Sequence, residues 1–148
     1  MKKFTKILYA TDFSESSAPA AEYARYLAGL TGASIHAIHV IGELTDSRRS
    51  MIQQEHFGIF EKEVEIQAIK DMEEFCREKF GEAVAYVTEI VIGKPFDKII
   101  KKAESTGCDL IVMGTHGRTG IEHVIVGSTA ERVVRRSKIP VLTVRQTT

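Results

Sequence analysis

Three glycines and two hydroxyl residues form the stretch of this chain with the clearest binding chemistry. Gly114 and Gly117 are followed at a distance by Gly127, and Ser128 and Thr129 come directly after it. Glycine lets the backbone come close to an anion, and the unpaired N–H groups at a helix start favour negative charge. The pattern predicts a phosphate-binding loop, although the same residues also suit a plain strand-to-helix turn with Ser128 as its N-cap.

The segments around these residues predict how they are positioned. The apolar run Leu110–Met113 is typical of a strand buried on both faces, and the chain from Ser128 onwards has helical spacing. A second buried strand, Phe4–Ala10, ends in a polar tip at Thr11 and Asp12. Such tips hold ligand contacts in open α/β sheets, but Asp12 is equally suited to capping the turn that follows.

Strands and helices alternate along the whole sequence. We predict further strands at Ser34–Ile41, Ala83–Ile92 and Pro140–Arg145, and further helices from Ser14–Ser17 to Gly32, over 51–80 and at Phe96–Ser105. The helix over 51–80 carries an apolar stripe at three- and four-residue steps, formed by Phe57, Phe60, Val64, Ala68, Met72, Phe75 and Cys76. This alternation predicts one α/β domain over residues 1–148, with a doubly wound five-stranded parallel sheet of order 3-2-1-4-5 and helices on both faces. The first and fourth strands then meet at the switch point, where ligands bind in such sheets.

This crevice suits a nucleotide. Thr11, Asp12 and Val40 would contact the adenosine end, with Asp12 accepting hydrogen bonds from hydroxyl or amino groups. His116 or Arg118 would add positive charge near the phosphates. The N–H groups expected to bind the phosphates are those of Gly117, Arg118, Gly127, Ser128 and Thr129.

Four motifs resemble those of a known family. The spacing G-x2-G-x9-G-[ST] at Gly114, Gly117, Gly127 and Ser128 is similar to the signature of the ATP-binding branch of the universal stress proteins. The segments ILYATDFSES, AIHVI and KIPVLTVR resemble the same family. One departure is Ala10, where several relatives carry proline. The resemblance implies ATP as ligand, bound by Ala10, Thr11, Asp12, Val40, Met113, Gly114, Thr115, His116, Gly117, Arg118, Gly127, Ser128 and Thr129.

Composition and charge exclude several other classes. The net charge is zero over 148 residues, which argues against a general nucleic-acid binder. No apolar run approaches the length of a membrane span, and the short apolar run after the basic start is read as a strand, not a signal peptide. Cys76 and Cys108 are isolated, as expected of free thiols in a reducing cytoplasm. His36 and His39 should lie on opposite strand faces, which favours structural roles over a shared metal.

The residues favour a binding module over an enzyme. The sequence contains no Walker lysine and no Ser-His-Asp grouping. It also shows no dedicated carboxylate cluster to bind the Mg²⁺ or Mn²⁺ that can accompany ATP. We therefore expect a nucleotide-dependent regulatory or stress-response module. The alternatives are a slow ATPase or nucleotidyl transferase, and an interaction protein of the same fold that binds no nucleotide.

The last strand predicts self-association. Residues 140–145 fall at one edge of the expected sheet and carry apolar Val141, Leu142 and Val144. Unpaired edge strands are normally covered or paired. We expect antiparallel pairing with the same strand of a second copy, as the family resemblance also implies; the alternative is a monomer whose tail, 146–148, covers the edge.

Overall fold

The computed structural model describes residues 3–14, 17–42, 54–116 and 126–146, with side chains in the third range described from Gly58 onwards. The strands are β1 (Lys6–Ala10), β2 (Ser34–Ile41), β3 (Tyr86–Ile92), β4 (Leu110–Gly114) and β5 (Val141–Val144). The helices are α1 (Ala18–Thr31), α2 (Gln54–Lys79), α3 (Pro95–Ser105) and α4 (Ser128–Arg136).

The five strands form one sheet in the order β3-β2-β1-β4-β5, and every neighbouring pair is parallel. The predicted fold class and strand order are therefore confirmed. Ala10, the last residue of β1, is opposite Ile38 in β2 and opposite Met113 in β4. The helix after β1 packs on one face of the sheet and the helix after β4 packs on the other, an arrangement that places a crevice between the carboxyl ends of these two strands.

Helices cover both faces of the sheet, and alternate residues of β1 face the two layers. Ile7 and Tyr9 are fully buried in a cluster with the small residues of α1 and the apolar residues of α2. Leu8 and Ala10 belong to a second cluster with α3 and α4. This alternation follows from the two-residue period of a strand, and burial on both faces explains why Ile7–Ala10 of β1 and Leu110–Met113 of β4 are apolar.

The structure differs from the prediction at the start of the third strand and in the burial of the long helix. The third strand begins at Tyr86 rather than Ala83, since the N–H of Ala83 closes a turn onto the carbonyl of Phe80. The predicted apolar stripe of the long helix includes Phe60 and Val64, but these side chains are 42% and 36% exposed, whereas Ala68 and Met72 further along α2 are buried. None of the helices in the described ranges is long and apolar enough to cross a membrane.

Candidate functional site

The turn after β1 is held by buried hydroxyl groups. The N–H of Thr11 donates to the carbonyl of Ile38 at 3.0 Å, which extends the β1–β2 ladder by one residue. The Thr11 hydroxyl accepts the N–H of Phe13 at 3.0 Å and lies 2.9 Å from the hydroxyl of Ser17. Ser17 precedes α1 but makes no side-chain cap; its hydroxyl donates to the carbonyl of Ser14 at 2.8 Å. These bonds fix the path from strand to helix.

Tyr9 supports the same turn from below. Its hydroxyl donates to the carbonyl of Ser17 at 2.8 Å, and the ring is fully buried. Burial raises the pKa of Tyr9 well above its usual range, because a phenolate would lose its hydration there. Tyr9 is therefore a neutral donor at any physiological pH, and its bond ties α1 to β1.

Asp12 lies at the tip of this turn and is partly buried. Its Oδ1 accepts the N–H of Ser14 at 3.0 Å and the Ser14 hydroxyl as well. The turn-capping role that the sequence allowed is thus realised in the structure. A carboxylate offers about four acceptor positions, so capping this turn and accepting a hydrogen bond from a ligand are compatible roles.

The end of β4 lies beside the end of β1. Met113 is buried opposite Ala10, and the N–H of Thr115 donates to the carbonyl of Val144 in β5 at 3.1 Å. The Thr115 side chain is also buried, and its hydroxyl lies 3.0 Å from Nδ1 of His116. Two of the predicted site residues, Gly117 and Arg118, lie outside the described residues.

Gly127 brings the start of α4 against the end of β4. Its N–H donates to the carbonyl of Thr115 at 2.6 Å, and a Cβ atom added to Gly127 would lie 2.9 Å from that oxygen. Real Cβ atoms essentially never come so close. The need for glycine here therefore arises from contact between two backbone segments, and phosphate binding is not required to explain it.

The start of α4 differs in one respect from the sequence prediction. The N-cap is Gly127, and no side chain makes a capping bond; Ser128 is the first helical residue rather than the cap. The first N–H groups of a helix lack intrahelical acceptors, and the helix dipole makes this end positive. Exposed Ser128 and half-buried Thr129 thus lie where an anion would be stabilised.

The described arginines of α4 are directed elsewhere. The guanidinium groups of Arg132 and Arg136 lie over the ring of Phe96 in α3, 5.2 and 4.9 Å from its centroid, and Arg135 pairs with Glu131. Within the described part of α4, attraction of an anion therefore depends on the helix start and its hydroxyl groups. Val40 packs into the α3–α4 face cluster beside the crevice.

The sequence did not identify His39 as part of this site. Its Nδ1 lies 2.8 Å from the carbonyl oxygen of Thr11, and its ring packs on Phe13. His36 projects to the other face, where it lies 3.4 Å from Glu89, so the predicted opposite orientation is confirmed. Among the described residues, no group of three or more His, Cys, Asp or Glu side chains could hold a metal ion.

Comparison with known proteins identifies the family. The model of the universal stress protein family matches residues 3–145. The chain belongs to this family. Among universal stress proteins of Methanocaldococcus jannaschii, MJ0531 is 34% identical, with 97% of this chain and 83% of the relative covered. MJ0577 is 30% identical, with 97% and 96% covered.

Solved universal stress proteins share the fold over nearly the whole chain. The structure of MJ0577 superposes with a TM-score of 0.87 at 31% identity, covering 99% of each chain. The universal stress protein UspA from Lactobacillus plantarum gives a TM-score of 0.83 at 25% identity, covering 98% of this chain and 100% of its own. The β1–β4 crevice therefore lies in a fold that these solved universal stress proteins share.

Proposed function

We propose that this universal stress protein binds ATP in the β1–β4 crevice and acts as a nucleotide-dependent regulatory module. One observation carries the proposal: the backbone of Gly127 contacts Thr115 at 2.6 Å, while β4 itself is in register with β1 at Met113 and Ala10. The start of α4 and the turn that carries Asp12 therefore border the same crevice.

The two sides of the crevice differ in chemistry, which favours a nucleotide over a simple anion. The β1 side presents the Asp12 carboxylate with Val40 of β2 nearby in the sheet, and suits the hydroxyl and amino groups of adenosine. The β4 side presents the start of α4, with Ser128 and Thr129, and suits phosphates. Gly117 and Arg118 remain part of the proposed phosphate site on the sequence alone.

Other proteins of this fold were solved with adenine nucleotides. One is a universal stress protein in complex with cAMP, 23% identical to this chain, and another is a universal stress protein from Archaeoglobus fulgidus in complex with dAMP, 18% identical. At these identities the likeness concerns the fold. Those ligands support adenine as the base to test first, and the phosphate chemistry at α4 is the reason for choosing ATP.

Calorimetric titration tests the proposal. Wild-type protein should bind ATP more tightly than adenosine, by about tenfold or more, because one or two charge-assisted hydrogen bonds at the helix start add roughly 1.5–3 kcal/mol each. Equal affinity for ATP and adenosine would remove the phosphate site from the proposal. Absence of binding by either would instead favour an interaction protein with an empty crevice.

Slow catalysis is the alternative use of the same site. Phosphoryl transfer needs a metal and a positioned nucleophile, and the described residues contain no carboxylate cluster for a metal. Mg²⁺ or Mn²⁺ would then be held chiefly by the nucleotide. Product analysis after long incubation with ATP and either metal separates the two uses, since a binding module returns ATP unchanged.

We further propose a cytoplasmic homodimer of single-domain chains that pair through β5. This strand is at one edge of the sheet, with β3 at the other. The carbonyl groups of Pro140 and Val144 accept the N–H groups of Ile111 in β4 and of Thr115 just after it. Because backbone groups of successive strand residues point in opposite directions, Thr143 presents its N–H to the open edge. Free thiols agree with a reducing compartment, since Cys76 and Cys108 are both buried and unbridged.

Proline at Thr143 tests the dimer. Thr143→Pro removes an outward N–H donor without breaking the β4–β5 ladder. The mass measured by light scattering should therefore be that of one 16.5 kDa chain in the variant and twice that in the wild-type protein. Thr88→Pro is the matched control, because alternation from the bonded carbonyl of Ala85 turns the Thr88 N–H away from β2 at the opposite edge. A wild-type protein that is monomeric at micromolar concentration would contradict the proposal.

A further inference from the structure

His39 makes the most direct side-chain contact with the backbone of the proposed adenosine-binding turn. The Thr11 carbonyl can only accept, so Nδ1 of His39 must carry the proton of their 2.8 Å hydrogen bond. The N–H of Thr11 is already bonded to Ile38 in β2. β2 therefore holds both backbone polar groups of Thr11, one through its main chain and one through His39.

The same histidine supports an unusual backbone conformation one residue further. Phe13 has φ of 66°, which is rare and strained for a bulky side chain. Its ring lies 4.3 Å from the His39 ring, centroid to centroid, and 6.0 Å from that of Phe75 in α2. The Phe13 N–H is bonded to the Thr11 hydroxyl. Packing and hydrogen bonding on both sides compensate for the strain.

Asp12 lies between these two fixed points. Its preceding carbonyl is held by His39, and the residue after it is held against the His39 ring. Two contacts of a single side chain therefore hold the backbone on either side of Asp12, and the carboxylate itself is bonded to Ser14 within the same turn. Phe75 and Tyr9 complete the packing on this face, with ring centroids 6.4 Å apart.

We propose that His39 is a positioning residue of the nucleotide site, which sets the orientation of Asp12 by holding the Thr11 carbonyl and the Phe13 ring. This rests on the proposed function for its consequence in binding, but the effect on the turn exists without ligand. The sequence suggested a purely structural role because strand periodicity shows which face His39 occupies, and not which backbone group it meets.

Three substitutions separate hydrogen bonding from side-chain volume. His39→Asn keeps an N–H donor near the position of Nδ1, His39→Gln moves the donor further from the backbone, and His39→Leu removes it. His36→Leu is the matched control, since it removes the other histidine of β2 from the opposite face, beside Glu89. ATP affinity should fall about tenfold in His39→Leu and His39→Gln, which is the loss of one well-made hydrogen bond. In His39→Asn and His36→Leu, ATP affinity should stay within about threefold of the wild-type value.

Amide hydrogen exchange in the ligand-free protein provides the second measurement. The amides of Phe13 and Ser14 should exchange faster in His39→Leu than in His36→Leu, and His39→Asn should restore the wild-type rate. Unchanged exchange at both amides would overturn the proposal. So would ATP affinity that is equal in the Asn and Gln variants, because binding would then not depend on the position of the hydrogen-bond donor. If wild-type protein binds no ATP while the exchange pattern is as expected, the proposed function fails and the positioning of the turn stands.

Discussion

Replacing Gly127 by alanine is the sharpest test of how the site is built. Its backbone, at φ −69° and ψ 160°, is one that alanine adopts without strain. The obstacle is the carbonyl oxygen of Thr115, 2.9 Å from the added Cβ. Ordinary contact begins at 3.4 Å, so the two segments must separate by the difference, about half an ångström, and the 2.6 Å hydrogen bond between them lengthens.

The expected cost follows from two opposing effects. Overpacking of this kind costs about 1–3 kcal/mol, and replacing glycine lowers the entropy of the unfolded chain, which returns about 0.4–1 kcal/mol. The net loss is roughly 0.5–2 kcal/mol, or a fall in Tm of about 1–8 °C for a chain of this size. ATP affinity should fall several-fold, since the start of α4 moves relative to β4.

Calorimetric melting and ATP titration measure both effects. Gly29→Ala is the control, because a Cβ at Gly29 in α1 meets nothing within 4 Å. Alanine there should raise stability by about 0.5–1 kcal/mol through helix propensity. If Gly127→Ala melts at or above the wild-type temperature, the close approach of Thr115 and Gly127 does not limit the site, and the reasoning fails.

Two further predictions concern charge and pH. Asp12→Asn keeps an acceptor for the Ser14 N–H, so Tm should change little while ATP affinity falls at least about tenfold. The control is Asp97→Asn, which removes a carboxylate paired with Lys101 on α3 and should leave ATP affinity unchanged. Burial raises the pKa of Cys76 from 9.0 to about 12. The thiol of the unfolded chain loses its proton at lower pH than the buried thiol does. The contribution of Cys76 to the free energy of unfolding is therefore fully present below pH 9, and it is lost between pH 9 and pH 12 by about 1.4 kcal/mol per pH unit. Denaturant titrations should show a shallower fall for Cys76→Ala; an equal slope would rule out this contribution.

Much of the fold was predictable because local patterns and tertiary structure agree. The apolar residues of SIHAIHVI predicted β2 with the bounds that the structure shows, and Gly32 ends α1 in the left-handed conformation that favours glycine. The strand order followed from the alternation of elements and the handedness of crossovers. Periodicity could not show where the sheet stops, and so it placed Phe60 and Val64 in the core although both are exposed.

The candidate site was predictable in location but not in its internal contacts. The sequence placed Asp12 and Gly127 at one crevice through topology. The glycine spacing suggested that Gly127 lacks a side chain so that a phosphate can approach its backbone. The structure shows instead that the carbonyl oxygen of Thr115 occupies the space a side chain would need. The contact of His39 with Thr11 depends on the register of β1 and β2, and register is a long-range property that residue types alone do not state.

Mapping ATP binding by amide chemical shifts tests the central claim most directly. On titration with ATP, the amides of Thr11–Ser14, Thr115 and Gly127–Thr129 should shift together, with one affinity. Amides at the opposite end of the sheet, at Gly81–Ala85 and Gly107, should stay unchanged. Shifts confined to that opposite end, or none at the three crevice segments under saturating ATP, would contradict the assignment of the β1–β4 crevice as the nucleotide site.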